Sequence, residues 1–312
     1  MAGVFEGFAT ISVLIGLGML VAHLGIVDDH GRHTLSTLAF YVASPALLLT
    51  VLEDSDLGEV FSANLVASAA AVLVTVAVTV AGLLAVRART GDRTGSLGDG
   101  VVATLCTSYV NAGNLGLPIA AYVLDDATLV APILLVQLLL LQPLALTLLD
   151  VSVAERRLRP LEVASRPVRN PLTIASLLGV LLSATGTQLP TLVQDPLDLV
   201  GGMAVPAMLI AYGVALRLGP LPGRGVPPRL LLGVVAVKQV LQPLAAYVVG
   251  RLAGLPPEAL LAVTVLSALP TAQNVYVIAA RYDRSVLLAR DAIFVSTLAS
   301  APVVLVIAAL LA

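Results

Sequence analysis

The sequence predicts an all-α polytopic membrane protein. It has ten transmembrane helices arranged as two inverted five-helix repeats, with helices 4 and 9 broken and crossed near mid-membrane. Three observations predict this: a charge-poor composition, an alternation of arginine along the chain, and matching proline-interrupted segments in the two halves. Of 312 residues, 58% are hydrophobic and 12% are charged, with a mean hydropathy of +1.00. A soluble domain carries roughly 25% charged residues, so an ordinary water-soluble enzyme is excluded. Net charge −2 and a single Lys exclude a nucleic-acid-binding surface. One Cys and three scattered His exclude a disulfide framework and give no metal centre. No cofactor is expected, and no Ser-His-Asp, HExxH or GxSxG arrangement supplies enzyme chemistry.

Each helix is predicted from a charge-free run, since a span needs about 20 apolar residues. Helix 1 covers 7–27; it lacks a basic leader and an A-x-A site and is read as a retained span. Helix 2 covers 33–52 and contains Ser44-Pro45. Helix 3 covers 60–86, helix 4 covers 100–124, and helix 5 covers 127–149 with Gln137 mid-span. A basic stretch, 151–169, is read as a cytoplasmic linker between a first repeat, 1–150, and a second, 170–312. Helices 6 and 7 cover 170–194 and 199–216. Helix 8, 230–250, is interrupted only by Lys238. Helices 9 and 10 cover 259–280 and 292–312. These runs reach both chain ends, so no soluble domain is expected. β-barrel strands would alternate apolar and polar residues over about 10 residues, and none does.

Arginine sets the orientation, because Lys and Arg concentrate in cytoplasmic loops. The odd-numbered loops hold Arg32; Arg87, Arg89 and Arg93; Arg156, Arg157, Arg159, Arg166 and Arg169; Arg217, Arg224 and Arg229; and Arg281, Arg284 and Arg290. These are fifteen of the seventeen basic residues; Arg251 falls in an even loop and Lys238 within a span. Both termini are therefore expected outside the cytoplasm, with the chain multi-pass in the cell membrane and the lipid bilayer as a partner.

The two halves echo one another. Ala43-Ser44-Pro45-Ala46 matches Ala204-Val205-Pro206-Ala207, Leu57-Gly58 matches Leu218-Gly219, and Asn114 corresponds to Asn274, all at near-constant offset. An odd number of helices per repeat inserts the halves in opposite senses. Inverted repeats characterise secondary transporters, whose substrate sites lie at discontinuous helices near the midplane. Helix 4 contains Asn111-Ala112-Gly113-Asn114-Leu115-Gly116-Leu117-Pro118, and helix 9 contains Leu269-Pro270-Thr271-Ala272-Gln273-Asn274. Gly and Pro disfavour continuous helix, and the Asn side chains can cap freed backbone groups. Half-helix N-termini meeting there would favour an anion. The alternative is that these are structural kinks.

Lys238 lies ten residues beyond Pro228, roughly 15 Å along a helix, where a charge costs about 2.5–3.5 kcal/mol or more. It reads as a partner for an anionic substrate, a stand-in for a coupling cation, a titrating group, or a lock on carbonyls of the broken helices. Gln242 lies one turn away, and Asp291 is the nearest acid by depth. Ser44 and Gln137 are candidate cavity residues, and Tyr276 either closes over substrate or packs.

These residues resemble the auxin efflux carrier family, within the superfamily of the sodium–bile acid symporters. The resemblance rests on the helix 4 motif, on Ala-Leu-Pro-Thr-Ala in helix 9 followed by Ala-Ala-Arg-Tyr-Asp, and on the ten-helix plan. It covers nearly the whole chain. It implies a scaffold of helices 1, 2, 6 and 7, a transport core of helices 3–5 and 8–10, an elevator-like shift, and substrate at the crossover. A homodimer through the scaffold helices belongs to the same expectation. By position, Asn111 matches the substrate-contacting Asn, Pro118 and Pro270 the crossover prolines, and Lys238 the lysine standing where sodium-driven relatives bind cation. The plant carriers' long cytoplasmic loop and acidic residue in helix 3 are absent. The expected function is secondary transport of small organic anions, auxin-like or dicarboxylate, without sodium coupling. A sodium-coupled organic acid symporter, a channel-like facilitator and a non-transporting sensor are the alternatives. Expected site residues are Asn111, Asn114, Pro118, Pro270, Gln273, Asn274, Tyr276, Ser44 and Gln137, supported by Lys238 and Gln242.

Overall fold

The computed structural model describes residues 2–53, 63–90, 96–116, 119–120, 124, 127–154 and 169–311. The chain is a helical membrane protein. The helices, in chain order, are α1 (Ala2–His23), α2 (Asp29–Glu53), α3 (Ala63–Thr90), α4 (Leu97–Ser108), α5 (Pro132–Ser152), α6 (Pro171–Thr185), α7 (Thr191–Leu218), α8 (Pro228–Leu252), α9 (Pro257–Ser267), α10 (Asn274–Tyr282) and α11 (Val286–Leu311). Six of them, α2, α3, α5, α7, α8 and α11, are long and apolar enough to cross a bilayer. Their outward faces carry bare aliphatic side chains, such as Leu192, Leu199, Leu252 and Leu310. An aqueous surface would not hold so many large apolar groups.

The helix ends follow local chemistry. Ser96 opens α4 with a capping box: its hydroxyl accepts from the Asp99 N–H while Asp99 accepts from the Ser96 N–H. The Asp99 carboxylate also receives hydroxyl hydrogen bonds from Ser96 at 2.6 Å and from Ser285, between α10 and α11, at 2.8 Å. Burial opposes its ionisation, but these hydrogen bonds win and hold the carboxyl below its ordinary value of 3.8. Asn170 caps α6, which stops at Gly186 in the left-handed region (φ 64°). The charge-free run 170–194 therefore contains the end of one helix and the start of the next, because Pro190 opens α7. Similarly, α2 and α11 begin before their charge-free runs, at Asp29 and Val286.

Three helices widen into π turns: Ala39–Ala43 in α2, Val136–Leu141 in α5 and Val237–Leu241 in α8. Each is followed at once by a residue and then a proline: Ser44-Pro45, Gln142-Pro143 and Gln242-Pro243. Proline lacks an N–H and clashes with the carbonyl four residues back. A π turn absorbs that conflict without stopping the helix.

Packing pairs α1 with α7, and α2 with both α6 and α7. Elsewhere α8 packs on α3 and α9, α4 on α3 and α5, and α11 on α9 and α10. The α1–α7 contact is glycine-mediated. A Cβ on Gly18 would overlap the Ile210 carbonyl, and one on Gly213 would overlap the Ile15 carbonyl.

Candidate functional site: a crossover of two interrupted helices

Helix α4 ends at Ser108, and α9 ends at Ser267. The strands of chain that follow meet as one antiparallel β-bridge, Val110 opposite Thr271. The Asn111 N–H donates to the Pro270 carbonyl at 2.9 Å, and the Ala272 N–H to the Tyr109 carbonyl at 3.1 Å. Each segment thereby satisfies the backbone that the other has freed from a helix. Beyond the bridge, residues Ala112–Gly116 coil as a π turn from the Asn111 carbonyl, and α10 begins at Asn274.

Side chains fill the remaining backbone valences. Lys238, fully buried, donates to the Ser267 carbonyl at 3.1 Å and to Gln242 Oε1 at 2.7 Å. Gln242, also fully buried, donates to the Ser108 carbonyl at 3.1 Å. The C-termini of both interrupted helices are thus held by one Lys–Gln pair, and a cation at a helix C-terminus is electrostatically favoured. Gln137 accepts from the Val110 N–H. Thr271 donates its hydroxyl to the Cys106 carbonyl at 2.6 Å, and its N–H goes to Ser296 Oγ at 3.1 Å. Tyr109 donates to Gln142 Oε1 at 2.9 Å and also lies within hydrogen-bonding reach of Asn274.

Within this bonded frame several buried amide atoms lack a partner among the described residues, Gln142 Nε2 and Gln239 Oε1 among them, and two of the set lie on the interrupted segments themselves. Asn111 is 2% exposed, and its Nδ2 has no partner among the described residues. Asn274, in the first turn of α10, has an unpartnered Oδ1. A buried unsatisfied amide costs about 1–3 kcal/mol, so such atoms at a helix break are candidates to meet a ligand. Among the described side-chain bonds, those that hold the freed backbone come from Lys238, Gln242, Gln137 and Ser296. Gln273 precedes α10 as its N-cap without a side-chain capping bond.

The structure joins Asn111, Pro270, Gln137, Lys238, Gln242 and Asn274 in one hydrogen-bonded cluster and buries Gln273 beside it. Ser44 is half-buried in α2 and shares no hydrogen bond with the crossover among the described residues. Pro118 and the Asn114 side chain lie outside the described residues. Tyr276 is buried, but its hydroxyl accepts from Arg32 at 2.7 Å, and its ring stacks edge-on with Tyr212 at 5.7 Å. Asp291 pairs with Arg290 and not with Lys238. Lys238 is therefore not the sole charge inside the helix bundle: Arg290, whose position in sequence read as a loop charge, and Asp291, read as the nearest acid by depth, are both buried within α11. Sequence reasoning also missed Gln142, Thr271 and Ser296. A signal for Gln142 was present, in the Gln-Pro pairs that follow the π turns of α5 and α8.

An all-helical membrane protein with paired helix breaks and unmatched amides at its centre belongs to the class of membrane transporters. The membrane transport protein family matches residues 3–159 and 160–308. The chain belongs to that family, the auxin efflux carriers. A Methanothermobacter thermautotrophicus protein named "Uncharacterized transporter" is 29% identical over 302 residues, 96% of this chain and 95% of that protein. A Rhizobium meliloti protein named "Putative malonate transporter" is 27% identical over 279 residues, 86% of this chain and 83% of that one.

Proposed function

We propose that this chain is a secondary transporter of small organic anions, with dicarboxylates such as malonate as leading substrates. It works by elevator-type alternating access and without sodium coupling. The observation that carries this reading is the crossover, where Asn111 Nδ2 and Asn274 Oδ1, one from each interrupted segment, are unmatched among the described residues. Asn111 Nδ2 donates to a carboxylate, the α10 N-terminus adds partial positive charge, and Asn274 Oδ1 accepts from a protonated or hydroxyl oxygen. The name of the Rhizobium meliloti relative supports a dicarboxylate as substrate.

In this reading the fold is ten transmembrane helices in two inverted repeats, residues 1–150 and 170–312. The interrupted pairs, α4 with its continuation and α9 with α10, are the equivalent broken helices. The charge bias supports both termini outside the cytoplasm in the cell membrane. The packing supports a scaffold of α1, α2, α6 and α7, and a moving core of α3–α5 and α8–α11. A homodimer through the scaffold fits its exposed aliphatic faces. Lys238 stands where a coupling cation would sit, and in its protonated form it would repel a sodium ion beside it. Purified protein in liposomes should take up malonate at a rate unchanged by an imposed sodium gradient; severalfold stimulation by sodium would refute the coupling claim.

A further inference from the structure

Arg290 is 1% exposed, and Asp291 beside it is fully buried. Arg290 Nε donates to Asp291 Oδ1 at 2.7 Å, and the other Asp291 oxygen accepts the Gly223 N–H at 2.8 Å. The Tyr212 hydroxyl donates to the Arg290 carbonyl at 2.8 Å. These bonds fix the side chain through one edge of the guanidinium. Its Nη1 has no partner among the described residues. That nitrogen lies directly against Gly219, where a Cβ would overlap it. A buried charged donor left unmatched is costly, and an ion pair kept only for structure would not leave one.

Arg290 lines a cavity of about 170 Å³ between α2, α7, α10 and α11, with its unmatched Nη1 packed just behind Gly219 of the same wall. Arg32 lines the same cavity from α2, together with Asp29, Leu218, Gly219 and Tyr276. Arg32 donates to Asp29, whose side chain is 76% exposed, and to the Tyr276 hydroxyl. Asp291 lies behind Arg290 and is occupied by it. The cavity thus offers two guanidinium groups and the Tyr276 hydroxyl over an apolar lining that includes Ala215 and Val286. Planar guanidinium forks match carboxylates in geometry and charge, and the apolar lining suits an organic anion better than a hydrated inorganic one. Tyr276 lies two residues beyond Asn274, roughly 3 Å along the helix, so the cavity lies at the level of the turn that opens α10.

We propose that this cavity is a second, separate carboxylate-binding site at the cytoplasmic mouth, in which Arg290 and Arg32 hold a small organic anion on its way to or from the crossover. The substrate class rests on the organic-anion function proposed above; the site itself rests on the unmatched Arg290 Nη1 and the cavity.

The test is equilibrium binding of radiolabelled malonate to the full chain in lipid nanodiscs. Wild type should bind two malonates, and Asn111→Ala with Asn274→Ala should leave one. Adding Arg32→Gln should weaken that remaining site by about tenfold or more, as expected for loss of a charge-assisted bond. Arg290→Gln with Asp291→Asn, which removes both buried charges together, should abolish it. Arg32 is only half-buried at the rim, so its variant carries the test if the buried double variant fails to fold. One malonate or none per wild-type chain, or a remaining site indifferent to Arg32→Gln, overturns the proposal. The Asn double variant keeping both sites would contradict the crossover reading and leave the mouth site standing. Sulfate displacing malonate from the mouth as well as acetate does would overturn its assignment to carboxylates.

Discussion

Lys238 sits at mid-membrane depth because two oxygens replace its water: the Ser267 carbonyl and Gln242 Oε1. Among the described residues no carboxylate pairs with it. The Lys is therefore a cap on a broken helix beside the crossover. Its position was legible in the sequence as a lone Lys in an apolar run, and its partners were among the readings the sequence offered, Gln242 one turn along and a carbonyl of a broken helix. Arg290 is the converse case. Its place near a helix start made it look like a topology signal, and only packing reveals that α11 begins early enough to bury it. At the N-terminal end of α4, Asp99 makes a prediction of its own. Its carboxyl is held below the ordinary value, so its contribution to stability is present above about pH 4. That contribution is lost as pH falls through the lowered folded value. Asp99→Asn should therefore lower the melting temperature in detergent at pH 7, and the gap to wild type should narrow toward pH 3. A gap that stays constant over that range would contradict the hydrogen-bonded assignment.

At the scale of elements, the interruptions organise the molecule. Gly and Pro near the centres of two apolar runs announced the breaks; the structure breaks the first just ahead of its glycines, at 109–111, and the second around Pro270, at 268–273. The pairing of the two breaks through a β-bridge was not legible, since single-chain patterning carries no information on which segments meet. The π turns were hidden for a related reason: their signal is a proline one residue after them, which reads as an ordinary kink. Helix ends set by Gly186 and Pro190 were blurred because charge-free runs ignore uncharged breakers. The α1–α7 contact depends on two glycines facing opposing backbone. Gly213→Ala should force those helices apart and destabilise the chain by about 1–3 kcal/mol, as overpacking does, read as a fall in thermal stability in detergent. Gly16→Ala, which meets nothing within 4 Å, is the matched control and should be near neutral. Equal effects from the two would contradict the close-packed interface.

At the scale of the whole molecule, low charge and apolar helices identified a membrane protein, and family membership makes it a transporter. The two packing groups meet along surfaces that hold the crossover on one side and Arg32 on the other. A shift of one group past the other would separate Arg32 on α2 from Tyr276 on α10, so the mouth site is tied to the transport cycle proposed here. Substrate identity is the least legible property of the sequence, because amides and helix ends recognise a carboxylate without reading the rest of the molecule. The measurement that tests the central claim most directly is malonate uptake into proteoliposomes by wild type, Asn111→Ala and Asn274→Ala at matched expression and reconstitution. The account predicts robust uptake by wild type and loss of tenfold or more in each variant. Unchanged uptake in both variants would contradict it.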